Sequence, residues 1–254
     1  MIGTRKLRYL LALGTAAALA LSIGMAQSPP FNERDVKVEA NIQDRSDIWV
    51  LDFRFKDPRL VTVDIPARGR KVVWYLWYQV INNTGEPHLF IPDFELVTHD
   101  RPGVYRDQVL PKAQEAIRRL EDPTGRLDIR NSVTIASEPI PPSKPDAYPR
   151  AITGVAMWDD VNPDSNQYSI FVGGLSNGHT EDDNKVVRRK TLQLNFRRIG
   201  DRFAMDSREI KFVPPAAWLY RATNFSADFQ PKPAADKEDA AAVDRLPLQV
   251  LPQR

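Results

Sequence analysis

The stretch WDDVNPDSNQYSIF, Trp158 to Phe171, places Asp160, Asn162, Asp164 and Asn166 at alternate positions, the spacing at which a calcium loop offers its first oxygen ligands. A loop of the EF-hand kind also needs a glycine at its sixth position for the sharp turn and a bidentate glutamate at its twelfth. Counted from Asp160, those positions hold Ser165 and Phe171, Pro163 lies inside, and Tyr168, Ile170 and Val172 alternate like a strand where a helix should begin. The EF-hand is therefore excluded. Two readings stay open. Asn-Pro-Asp-Ser-Asn suits a β-turn, which is the expected reading. The other is a looser calcium site in which Asp160, Asn162 and Asp164 meet Asp182 and Asp183 from a second loop.

The three histidines fall in turn-like contexts, His88 after Pro87, His99 before Asp100 and His179 in SNGHTEDD, and none has a partner at metal-ligand spacing. His99 and Asp100 would serve a triad with a distant serine, but no Gly-x-Ser-x-Gly elbow or other nucleophile setting accompanies them. A loop-assembled hydrolase is thus an alternative, and the chain is expected not to be an enzyme and to need no cofactor. Val186 to Lys190, VVRRK, with Arg197, Arg198 and Arg202 close in sequence, reads either as a local basic patch or as the charged, solvated face of an edge strand.

Positioning such residues requires a folded body, and the chain ends bound it. Arg5, Lys6 and Arg8 precede an apolar run from Tyr9 to Ile23, and Gly24-Met25-Ala26 follows, as in a signal peptide cut after Ala26. The expectation is export, to the periplasm or beyond, with no membrane span in the mature chain. Removing those three cations from the 35 basic residues leaves 32 against 33 acidic ones, so no basic excess remains to favour nucleic acid. There is no cysteine, which excludes disulfides and thiolate zinc sites and leaves the fold to its apolar core. Residues 27–46 and 226–254 read as flexible segments, the latter a mixture of Pro, Ala and charge without apolar period.

Between them, strict alternation dominates. Trp49, Leu51, Phe53 and Phe55 share one face of a strand, and Val61, Val63 and Ile65 repeat the pattern after Asp57-Pro58. Leu127, Ile129, Val133 and Ile135 predict another, as do Ala151 to Trp158, Tyr168 to Val172 and Lys190 to Phe196. One helix is predicted in LPKAQEAIRRLED, where Leu110, Ala113, Ile117 and Leu120 form a stripe, Pro111 suits the first turn and Asp122-Pro123 ends it. The Pro-rich segment Ser137 to Pro149 lacks backbone donors and reads as a surface loop.

KVVWYLWYQVI is different, because Val72, Trp74, Leu76, Tyr78 and Val80 fill one face and Val73, Tyr75, Trp77 and Ile81 the other. A strand apolar on both faces belongs in the centre of a sheet with both sides covered. Trp74, Leu76 and Tyr78 are expected between two sheets, with Tyr75 and Trp77 under the helix or the Pro-rich loop. Without that cover, Tyr75 and Trp77 would form an exposed aromatic surface for a sugar ring or a protein partner.

NNTGEP after that strand, then IPDFELVT and GVAMWDDVNPDSNQYSIFVGGLSNG, resemble the immunoglobulin-like β-sandwich domains of uncharacterised secreted bacterial proteins, over Trp49 to Phe212. The resemblance implies a mainly β fold, an immunoglobulin-like antiparallel sandwich with one short inserted helix, and an envelope setting. It carries no catalytic residues. The expected organisation is one sandwich domain over 47–225. The expected role is an exported non-catalytic binding or structural module whose partner is an envelope protein or glycan, with a calcium-dependent binding domain as a further alternative.

Overall fold

A computed structural model of the chain describes residues 33–144, 147–199 and 210–222. The expected signal peptide at 1–26, the first part of the 27–46 segment and the 226–254 tail lie outside the described residues. The rest forms two antiparallel sheets face to face, with two short inserted helices.

The first sheet is built around β4 (Gly69–Ile81), the two-faced strand. One edge of β4 pairs first with β2 (Asp52–Phe55) and then with β3 (Arg59–Ile65). Its other edge takes β7 (Ala151–Trp158) over eight residue pairs, Trp74 opposite Trp158 to Ile81 opposite Ala151. β1 (Arg34–Val36) adds to β2, so part of the 27–46 segment, expected to be flexible, is a strand of the sheet. Gly154 is required where β7 passes Tyr78, because a Cβ there would lie 2.3 Å from the tyrosine ring.

The second sheet runs in the order β11 (Ile210–Ala222), β10 (Val187–Arg198), β8 (Gln167–Gly173), β5 (Asp93–Thr98), β6 (Gly103–Arg106), with β9 (His179–Glu181) continuing the β8 row along β10. The inner faces meet in one aromatic core: Phe53 and Tyr78 stack at 5.5 Å, Trp74 meets Tyr168 edge-on at 5.2 Å, and Phe55 packs on Phe196 at 5.9 Å. Both sides of the sandwich are stitched. The Asp57 carboxylate accepts from the Phe212 backbone on β11 and from Arg34 on β1. Opposite, Gln108 N–H donates to Met157 O at 2.9 Å.

A second layer covers the outer face of the first sheet. α1 (Pro111–Glu121) presses Leu110, Ala113 and Ile117 onto Tyr75, Trp77, Val155 and Met157, and Pro at its start fixes φ where no donor is needed. Leu120, expected on that stripe, is 58 % exposed; Glu121 takes the inward place, its side chain 2 % exposed between Lys56 and Arg59. The strand predicted over Leu127 to Ile135 does not form. Asn131 accepts from the Val133 and Thr134 backbone, and Thr134 Oγ1 accepts from Asn131 N–H, which starts α2 (Ser132–Ile135), one helical turn. Arg130 instead pairs with β7, covering its edge.

Candidate functional site

The residues of the looser calcium site are engaged otherwise. Asp160 pairs with Arg68 at 2.8 Å and Lys71 at 3.2 Å. Desolvation, the largest single influence, raises its carboxyl, but Lys71, Asp159 and Arg68 together outweigh it and hold the group below the ordinary value. Asn162 Oδ1 accepts from Asp164 N–H at 2.9 Å, a turn held by its own side chain. Asp182 does the same for Asn184 and Val186 and pairs with Arg188. The two loops also cannot meet. The first adjoins Arg198, whose N–H donates to Asn166 O, and the second adjoins Val187, opposite Glu181. These are the two ends of β10, about 36 Å apart at 3.3 Å per residue. Among the described residues no cluster of three His, Cys, Asp or Glu side chains is arranged to hold a metal.

Tyr75 and Trp77 are each 2 % exposed, so neither ring offers a surface. Tyr75 Oη donates to Glu121 Oε1 at 2.8 Å, and Lys56 Nζ sits 4.1 Å from the Trp77 ring centre. The cover is α1, and the pair is core. The basic patch also disperses: Lys190 is 1 % exposed and pairs with Asp44, and Arg198 is 8 % exposed, its Nη1 donating to Pro163 O. Strand β10 that carries them lies between β11 and the β8–β9 row rather than at an edge. Arg202 lies outside the described residues.

His99 does meet a serine, with Nε2 2.8 Å from Ser169 Oγ. Ser169, however, donates its proton to Asn195 Oδ1 at 2.7 Å and receives Gln193 Nε2 at 3.3 Å. With its hydrogen spent on Asn195, Ser169 is an acceptor for His99, the reverse of a nucleophile and its base. Ser169 is also fully buried, and Asp100 accepts from the Asn166 and Gln167 backbone. His179 caps backbone in its own turn.

The concave site that the fold does build lies where the β8–β9 row is interrupted. There the residues before β2 cross to the second sheet: Leu51 N–H donates to Leu175 O at 2.8 Å, and Trp49 N–H to Asn177 Oδ1 at 2.8 Å. Trp49 O accepts from Ser176 Oγ at 2.7 Å, and the indole stacks on His88 at 4.2 Å and 12°. His88 is itself fixed by backbone bonds both to and from Ile140. Trp49 thus stands rigid and half-buried over a cleft of about 300 Å³ whose walls include Leu89, Ile91, Pro92, Asp93 and Arg189. Gly174, at φ +85°, brings the backbone within reach of Ile91 O, where a Cβ would lie 2.0 Å away. Burial raises the Asp93 carboxyl above its ordinary value, opposed by Arg106.

Sequence reasoning placed Trp49 among core residues of a strand and did not single out Asp93 or Arg189. The available signals were small: Asp93 as a charge inside IPDFELV, and the Gly-Gly that breaks the strand after Val172. Comparison with family models, with curated proteins and with solved structures returned no match.

Proposed function

We propose that the chain is an exported, non-catalytic binding module of the cell envelope, an immunoglobulin-like sandwich that holds an envelope protein at the Trp49 cleft. The observation that carries this reading is the bracing of Trp49. A part-buried indole stacked on a fixed imidazole, and carried on backbone whose N–H and C=O are both hydrogen-bonded, has less freedom left to lose on association than a free surface side chain. Leu89 and Ile91 beside it are 43 % and 62 % exposed, and an aromatic anchor in an apolar cleft with a polar rim is the usual centre of a protein interface. The aliphatic walls favour an apolar side chain over a sugar ring. Export is supported by the basic, apolar and small-residue succession of residues 1–26. The donation of Ser169 to Asn195 supports the non-catalytic reading. Among the described residues no helix is long and apolar enough to cross a membrane.

A photo-crosslinking residue in place of Leu89, in cells making the full chain, tests the reading. One discrete protein adduct that disappears when Trp49→Ala is added supports it. No adduct, or an adduct indifferent to Trp49→Ala, overturns it, and an adduct removed by glycosidase reassigns the cleft to a glycan. The N-terminus of the exported protein is expected at Gln27, and one at Met1 would refute cleavage.

A further inference from the structure

The second half of β11 is an open sheet edge. Along β10, Lys190 N–H donates to Gly178 O and Arg198 N–H to Asn166 O, so the even-numbered residues of β10 bond toward the β8–β9 row. The odd-numbered ones bond toward β11, where Arg189, Thr191 and Gln193 lie opposite Arg221, Leu219 and Ala217. Successive residues of a strand present N–H and C=O to opposite sides. Ala216, Trp218, Tyr220 and Ala222 therefore direct theirs away from the sheet. Phe212 is turned the same way, and its N–H meets the Asp57 carboxylate. Among the described residues no backbone group pairs with the other four on that side.

Edges are ordinarily blunted against such pairing by shortness, charge, proline or a cover. The remaining edges here are: β1 and β6 are three and four residues long, Arg130 covers β7, and β3 carries the exposed Asp64. Pro214 and Pro215 interrupt the first half of β11. Ala216 to Ala222 has none of these protections. Its one charge, Arg221, is laid across the outer face, its guanidinium 4.1 Å from the Phe171 ring centre and paired with Glu95. Residues 37–44 cover the inner face of this edge, Lys37 O accepting from the Trp218 indole at 3.0 Å and Asp44 from Tyr220 Oη at 2.8 Å. On that cover Val38 and Ile42 are exposed.

We propose that this edge pairs with the same edge of a second copy of the chain, joining two sandwiches through an antiparallel β11–β11 ladder. A twofold axis makes the contact isologous, each copy giving what the other needs. One register uses all four free residues: Trp218 opposite Tyr220 of the second copy, Ala216 opposite Ala222, and Leu219 on the axis facing itself. Each hydrogen-bonded pair exchanges two bonds, so this register forms about eight, and a slip of one pair leaves about six. It also sets the Trp218 and Tyr220 rings side by side across the junction, a favourable cross-strand pair. Two such edges approach without repulsion, because Glu95 neutralises Arg221 on each copy, and Val38 and Ile42 supply apolar surface on the segment beside the ladder.

Sedimentation equilibrium of the full mature protein tests this, and a concentration-dependent dimer is expected. Leu219→Lys sets two ammonium groups face to face at the axis and should weaken dimerisation about tenfold or more, with circular dichroism unchanged because the side chain lies on the outer face. The chain has no cysteine, so Leu219→Cys gives each copy one thiol. Facing Cα atoms at such a position stand about 4.5 Å apart, within disulfide reach, and a glutathione redox buffer should yield a covalent dimer. Ala217→Cys should not, since its mate lies about 13 Å along the ladder. A native protein that stays monomeric up to its solubility limit would overturn the proposal. A dimer that is indifferent to Leu219→Lys, or that forms no disulfide through Leu219→Cys, uses another surface and overturns it equally. A disulfide through Ala217→Cys but not Leu219→Cys would overturn the register.

Discussion

Replacing Trp77 by alanine probes whether the outer layer is a second core. Trp77 is 2 % exposed in a layer with Ala113, Ile117, Val155 and Met157. A cavity of that size costs about 3–5 kcal/mol. The Lys56 ammonium, 4.1 Å from the ring centre, loses its aromatic partner as well. Because Glu121 still holds Lys56 at 3.1 Å, that loss falls at the low end, about 0.5–1 kcal/mol. Together these remove about 4–6 kcal/mol from a domain whose whole stability is of order 5–15 kcal/mol. Trp77→Phe separates volume from polarity. The indole Nε1 is buried without a hydrogen-bond partner among the described residues, so removing it relieves a desolvated donor while some packing is lost, and the net cost should be about 1 kcal/mol. Urea denaturation at 25 °C followed by circular dichroism reads both, provided the slope m is unchanged. If Trp77→Ala lies within 1 kcal/mol of the native protein, or Trp77→Phe costs as much as Trp77→Ala, then α1 does not seal a core over β4 and the argument fails.

Asp107 carries a pH dependence: burial, opposed by the hydrogen bond from Ser132 and those from the Met157 and Gln108 backbone, pushes its carboxyl up to about 6. The folded state then holds this proton more tightly than the unfolded state. Its contribution is full below about pH 4 and is lost as pH rises to about 6, a fall of order 3 kcal/mol; Asp107→Asn should flatten that slope in denaturation curves taken from pH 4 to 7. Gly154→Ala forces a methyl into the Tyr78 ring and should cost about 1–3 kcal/mol, seen as a lower melting temperature; an unchanged melting temperature would refute the contact. Millimolar calcium should leave the melting temperature of the native protein and of Asp160→Asn alike, and a calcium-dependent rise lost in Asp160→Asn would restore the metal reading.

The central position of β4 was legible because a strand apolar on both faces has nowhere else to go, and the α1 stripe named its own cover through Ala113 and Ile117. What local pattern did not disclose was set by distant partners. Leu120 looked apolar enough to bury, but Glu121 is drawn inward instead, since Lys56 and Arg59, more than sixty residues earlier, neutralise it. Alternation from Leu127 to Ile135 looked like a strand, yet Asn131 and Thr134 cap each other three residues apart, and a satisfied helix start outweighed period two over so short a run. The calcium spacing failed for a related reason. The oxygens of Asp160 and Asn162 met Lys71, Arg68 and a neighbouring backbone N–H before any ion.

Interruptions in two paired rows explain where the Trp49 cleft arises. β4 is flanked by β2 and β3 in series, and β10 by β8 and β9 in series. Each flanking row has a break, at residues 56–58 in the first sheet and 174–178 in the second, and a break leaves backbone groups that must be satisfied from elsewhere. The first break turns Asp57 toward the other sheet, where it receives the Phe212 N–H. The second receives the chain from the other sheet, Val50 bridging to Ser176 and Leu51 to Leu175. Sheets joined through each other's interruptions resist sliding, since moving one relative to the other would strand hydrogen bonds at both breaks. The second break is longer, so the inserted segment fills its backbone needs but not its volume. The unfilled remainder is the space beneath Trp49, and a site formed in this way is held open by the same bonds that hold the sandwich together.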